Sequence, residues 1–208
     1  LPMRAEQPSL PGLVDDAGVR PGGVPQKAVV ARRHDVFLCQ PKPTAMTRRV
    51  IGVDPGSIKA GWAVVEQEAT RLRLIGSGTI RLGDGPLNGR LEALYAALRD
   101  RMTEHAPREA AIEAIFHQRN ADSALKLGHA RGVALLAMAH GGLPVSEYPP
   151  STVKKSVTGH GGADKEQVRA MMRVLLNAPH VVGLDESDAI AIAVCHLSQN
   201  PALARRTL

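Results

Sequence analysis

A chain of 208 residues with 44% apolar and 22% charged side chains is long enough for one well-buried domain and too short for two large ones. It has no run near the roughly 18 apolar residues of a membrane span and no apolar signal-peptide core near its start. Its two cysteines, Cys39 and Cys195, exclude a CxxC zinc pattern and suit a reducing cytoplasm, while a formal charge of +6 favours an anionic partner such as nucleic acid.

Residues 1–45 contain Pro2, Pro8, Pro11, Pro21, Pro25, Pro41 and Pro43 and no sustained apolar period. They are expected to form a disordered N-terminal extension, with Met46 a candidate for the true start. One domain is expected over residues 46–200, followed by a short tail, 201–208. Val50–Val53, Ala60–Glu66 and Arg71–Leu82 read as three strands in an antiparallel meander. Asn88–His105 is an amphipathic helix, with Leu91, Leu94, Tyr95, Leu98 and Met102 on one face and Pro107 beyond its end. Ala110–Phe116 is the next strand. Asp122–His140 is a helix rich in Ala and Gly, suited to close packing on its own sheet, to a dimer face, or to both. Pro144–Tyr148 is a short strand. Asp164–Asn177 is a helix whose Asp164 and Gln167 have capping-box spacing. Asp185–Gln199 is the last helix and is mostly apolar after its first turn. Three strands followed by alternating helix and strand predict an α/β fold, a mixed sheet with helices on both faces.

Acids interrupt this apolar pattern. Asp54 ends a buried strand, where an ionised carboxylate is costly unless it is paired or bound to metal. The same Asp-Pro-Gly triplet also serves as an ordinary turn. Glu113 stands within the apolar run Ala111–Phe116, too apolar for an exposed edge. Asp185 and Asp188 share one face of a first helical turn, where acids also act as simple caps. Glu186 is rotated away from Asp188. Brought together, these acids would repel one another, and a hard cation such as Mg²⁺ relieves that repulsion. Two such ions can activate water and stabilise a leaving oxygen at phosphorus. Lys154, Lys155 and Lys165 flank the flexible Gly159-His160-Gly161-Gly162 segment, as a phosphate-binding surface or a solvated face.

Four segments are similar to one family. They are Ile51-Gly52-Val53-Asp54-Pro55-Gly56, Ile112-Glu113-Ala114-Ile115-Phe116, Asn120-Ala121-Asp122-Ser123-Ala124-Leu125-Lys126-Leu127-Gly128 and Asp185-Glu186-Ser187-Asp188-Ala189-Ile190-Ala191-Ile192-Ala193. Together, from about Arg49 to about His196, they resemble the RuvC Holliday junction resolvases; residues 1–45 lie outside the likeness. The resemblance implies an RNase H-like fold and a homodimer. It implies paired, symmetrical, Mg²⁺-dependent nicking of four-way junction DNA in homologous recombination and repair, leaving nicks a ligase can seal. Two ions per site are implied, with Mn²⁺ able to substitute, as is a branch-migration motor of RuvA and RuvB type. The catalytic, metal-holding carboxylates fall on Asp54, Glu113, Asp185 and Asp188. The basic residues near the scissile phosphate fall on Lys154 and Lys165, the base-contacting aromatic on Phe116, with Arg119 a neighbouring DNA contact.

Three rival readings stand beside it, one a non-catalytic junction binder, which the intact carboxylate set argues against. A related RNase H-like nuclease could use the same acids on another nucleic-acid structure. A nucleotide-binding protein of the actin and sugar-kinase type shares a loop like Ile51–Ser57. That architecture needs two such domains, and this chain has room for one.

Overall fold

The computed structural model describes residues 47–114, 120–181 and 183–199. The elements are β1 (Thr47–Asp54), β2 (Lys59–Glu68), β3 (Arg71–Arg81), α1 (Leu87–His105), β4 (Glu109–Glu113), α2 (Ala121–His140), β5 (Val145–Tyr148), α3 (Pro150–Thr158), α4 (Lys165–Leu175) and α5 (Leu184–Gln199). The expectations for residues 1–45 and 201–208 lie outside the described residues.

One sheet has the order β3-β2-β1-β4-β5. The first three strands form the expected antiparallel meander, and β1, β4 and β5 run parallel. A central strand covered on both faces is apolar at every position, which explains the unbroken Val50–Val53 run. Ile51 and Val53 turn to one face, with Trp62 and Val64, against Leu94 and Leu98 of α1 and Ala134 and Met138 of α2. Val50, Ala63 and Val65 turn to the other, against Ile190 of α5 and Val168 and Met172 of α4. The sheet is mixed and has helices on both faces. Among the described residues, no helix is long and apolar enough to cross a membrane.

Two differences from the expected elements matter for the site. β4 spans Glu109–Glu113, with Ala114 outside it and residues 115 and 116 of the expected strand outside the described residues, so Glu113 is the last residue of the strand. Residues 150–158, which were not expected as an element, form α3. Pro150 fits the first helical turn, where its missing N–H costs nothing, and Gly159 closes the helix at φ 77°. Its β-branched, short sequence hides the period, but Val153 and Val157 are buried.

The last helix sits hard against the sheet. A Cβ on Gly52 would lie 2.3 Å from the Ala189 carbonyl oxygen, and one on Gly61 would lie 1.9 Å from that of Asp185. Ala189 and Ala193 continue the small-residue contact and are fully buried.

A buried polar network ties α5 to the parallel half of the sheet. Arg48 donates to both carboxylate oxygens of Glu109, at 2.9 and 2.7 Å. His196 lies 2.9 Å from Glu109 through Nε2 and 2.8 Å from the Tyr148 hydroxyl through Nδ1. Burial alone would raise the Glu109 pKa; the His196 and Arg48 hydrogen bonds outweigh it and hold the carboxyl at about 2. Cys195 is buried and unpaired.

Gly52→Ala is expected to lose about 1–3 kcal/mol or more by overpacking, measured by chemical denaturation. Gly85→Ala, where nothing lies within 4 Å of the added methyl, should stay within about 0.5 kcal/mol of the parent.

Candidate active site

The parallel register pairs Val53 with Ile112. The next residues, Asp54 and Glu113, therefore stand side by side at the carboxyl ends of neighbouring strands. Ligands of open α/β sheets bind at such strand ends. The close approach of α5 at Gly61 brings its first turn to the same place, with Asp185 and Asp188. From the opposite side α3 contributes Lys154, and α4 contributes Lys165 as its first residue. The expected capping box holds that start: Asp164 accepts from the Gln167 amide at 2.8 Å, and Gln167 accepts from the Asp164 amide at 2.9 Å.

Asp54, Glu113, Asp188, Lys154 and Lys165 line one pocket of about 210 Å³, with Val153 and Ile192 among its apolar walls. Asp185 is outside that lining but acts on it through charge. Burial, then the negative charges of Asp188, Glu113 and Asp185, raise the Asp54 carboxyl from 3.8 to about 7 against the opposing pull of Lys165. Glu113 is raised by burial and by Asp188, with Lys165 and Lys154 opposing. Burial would lower Lys165, but its hydrogen bond and ion pair with Asp188 at 2.6 Å, then the charges of Asp54 and Asp185, hold it above the ordinary lysine value. Nearby acids thus cannot all ionise without countercharge.

Two lysines supply part of that countercharge: Lys165 on Asp188 and Lys59 on Asp185, each at 2.6 Å. Among the described residues, no group of three or more His, Cys, Asp or Glu side chains is arranged to hold one ion. The chemistry of the donor set nonetheless fits a hard divalent cation. It consists of carboxylate oxygens whose mutual repulsion a cation would relieve, reached by rotating side chains away from their lysines.

Other groups fix the backbone around the acids. Arg90 of α1 donates to the Ser57 carbonyl at 2.6 Å, bracing the turn after Asp54. Arg131 of α2 donates to the Glu113 carbonyl at 3.4 Å and pairs with Glu147. Glu186 accepts from Ser77 Oγ at 2.6 Å and from the Gly183 amide at 3.2 Å. Its place is outside the pocket, as its helical phase predicts. Phe116 and Arg119 lie outside the described residues. Sequence reasoning passed over Lys59. Its meaning comes from packing: Lys59 shares strand parity with Gly61, where α5 lies against the sheet.

The comparisons with known proteins agree with this geometry. The family model described as Crossover junction endodeoxyribonuclease RuvC matches residues 50–196. The crossover junction endodeoxyribonuclease RuvC of Alkalilimnicola ehrlichii is 46% identical over 157 residues, 76% of this chain and 95% of that protein. The one from Hahella chejuensis is 48% identical over 157 residues, 76% of this chain and 91% of that protein. The structure of Thermus thermophilus RuvC in complex with Holliday junction substrate matches with a TM-score of 0.67 and 32% identity, over 72% of this chain and 92% of that one. The yeast mitochondrial Holliday junction resolvase Ydc2, at 11% identity and a TM-score of 0.53, shares the fold. The strand order, the acids at the ends of β1 and β4, and these matches over residues 50–196 place the chain in the RuvC family of crossover junction endodeoxyribonucleases.

Proposed function

We propose that this protein resolves four-way DNA junctions by paired, symmetrical, Mg²⁺-dependent nicks, using Asp54, Glu113, Asp185 and Asp188 to hold the cations. The observation that carries the reading is the coupling of these acids. Asp54 and Glu113 sit side by side, and Asp188 raises the pKa of both. A half-buried cluster of like charges has little structural value, since its mutual repulsion is destabilising. It has a clear use as a set of oxygen ligands.

Bound divalent cations, two per site, would supply water activation and charge neutralisation at phosphorus; Mn²⁺ has the same oxygen-ligand preference. The chain's own groups do the rest. Lys154 and Lys165 offset phosphate charge at the mouth of the pocket. Lys165 also holds Asp188 in place until the strand arrives. Val153 and Ile192 exclude water from the inner wall. Phe116 and Arg119 are assigned to the unstacked bases beside the cut, where one base on an aromatic ring adds about 1–3 kcal/mol.

Paired nicking needs two sites related by symmetry, and a homodimer provides them. Leu125 and Leu136 of α2, 61% and 48% exposed, share one helical face and support α2 as the dimer contact. A branch-migration motor of RuvA and RuvB type is the partner proposed to present the junction.

Synthetic four-way junctions, linear duplex and RNA–DNA hybrid, each offered with Mg²⁺ or EDTA, test the assignment. Symmetrical nicking confined to the junction and to Mg²⁺ is the expected result; equal cutting of the hybrid would move the protein to another substrate. Asp54→Asn should retain junction binding while cleavage falls about a thousandfold, equivalent to roughly 4 kcal/mol of barrier.

Asp54 also predicts a pH effect on stability. Its folded pKa of about 7 lies above the ordinary 3.8, so the folded state binds the proton more tightly than the unfolded one. The associated stability is fully present below 3.8 and is lost as pH rises to about 7. In EDTA, the Tm should fall across that window. Asp54→Asn should flatten the fall and be the more stable protein at pH 8, by a few kcal/mol. A wild-type Tm that rises with pH across the window would contradict it.

A further inference from the structure

On the face of the sheet that packs against α5, β2 and β3 end in two cations. Lys59 is the first residue of β2 and Arg81 the last of β3, and they are directly paired across the antiparallel register. Directly paired residues point to the same face. The face is fixed by the next pairs inward. Gly61 lies against the Asp185 carbonyl, and its partner Thr79 has its hydroxyl beside Gly183. One pair further in, Ser77 donates to Glu186 of α5. Lys59 and Arg81 therefore project together beside the first turn of α5.

Like charges directly opposite one another destabilise a sheet. Asp185 relieves part of this through its 2.6 Å pair with Lys59, whose side chain remains 55% exposed. A pair so open to water adds little to stability, so the fold alone gives it little purpose. Arg81 is exposed as well. In the sheet order, β2 and β3 lie on the other side of Asp54 from β4 and β5. Lys154 and Lys165 come from α3 and α4, which follow β5 in the chain and close the pocket on Glu113.

We propose that Lys59 and Arg81 form a second phosphate-binding wing, so that one nucleic-acid strand runs from Lys154 and Lys165 across the acids to Lys59 and Arg81. The proposal rests on the nucleic-acid reading above. It adds the direction of the strand over the site and two binding residues on its far side. Lys59 then has two anions to serve: it pairs with Asp185 in the free protein and turns to a backbone phosphate when the strand arrives.

The test is the salt dependence of binding to a fluorescent four-way junction in EDTA, between about 50 and about 200 mM salt. Each neutralised phosphate contributes about 0.9 to the slope of log affinity against log salt. Lys59→Ala combined with Arg81→Ala should make the slope shallower by about 1.8, shrinking the affinity ratio between the two salt concentrations by about tenfold. Lys59→Arg combined with Arg81→Lys should keep the parent slope. Arg71→Ala, at the opposite end of β3, should keep it too. Lys59→Ala should also tighten Mg²⁺ binding in calorimetry, because Asp185 loses a competing cation. An unchanged slope in the double alanine variant, or an equal loss in Arg71→Ala, overturns the second wing. Failure of the parent to bind the junction at any salt overturns the nucleic-acid reading itself, and the wing with it.

Discussion

Carboxylates brought together in a half-buried pocket cannot all be ionised without countercharge, and the arrangement of this protein turns on that constraint. Asp54 and Glu113 are adjacent because two parallel strands end together. Asp188 joins them because α5 has no methyl groups between it and the strands at Gly52 and Gly61. Burial, with the repulsion that results, raises the Asp54 carboxyl to about 7, and lysines are drawn onto Asp185 and Asp188. A fold selected for stability alone would replace such a cluster with apolar groups.

The contrast with Glu109 clarifies this. It is a buried acid on β4, four residues from the half-buried Glu113. Arg48 and His196 satisfy its oxygens, and its carboxyl is driven down to about 2. One strand thus carries a structural carboxylate at one end and a strained one at the other. Burial is common to both; what differs is whether the neighbours are cations and donors or other acids.

Much of this was legible in the residues. Acids stand out against apolar runs, so Asp54, Glu113, Asp185 and Asp188 could be picked out before any coordinates. Among the described residues, the sequence pattern located every strand and four of the five helices. It failed at α3, where Pro150 and the β-branched Thr152, Val153 and Val157 disguise a short helix made stable by tertiary burial. It also carried β4 past Glu113 into Ala114, because an apolar run does not show where a strand ends. Lys59 was harder still. A single basic residue at a strand edge acquires meaning only from what packs across from it, and Asp185 is 126 positions away in sequence. The role of Lys154 was implied by the family resemblance, since charge near a glycine loop fits a solvated face equally well, and its position comes from the unexpected helix.

The contact between α5 and the sheet also bears on rates. With the Asp185 carbonyl so close to Gly61 that no methyl fits between them, the first turn of α5 has little backbone freedom. Whatever adjustment the acids make on meeting a strand and its cations falls to side-chain torsions, which relax in picoseconds to nanoseconds rather than the microseconds to milliseconds of backbone rearrangement. The α5 edge of the site therefore behaves as a fixed datum. A slow phase in turnover would arise elsewhere, in the distortion of the bound nucleic acid or in the departure of the nicked product.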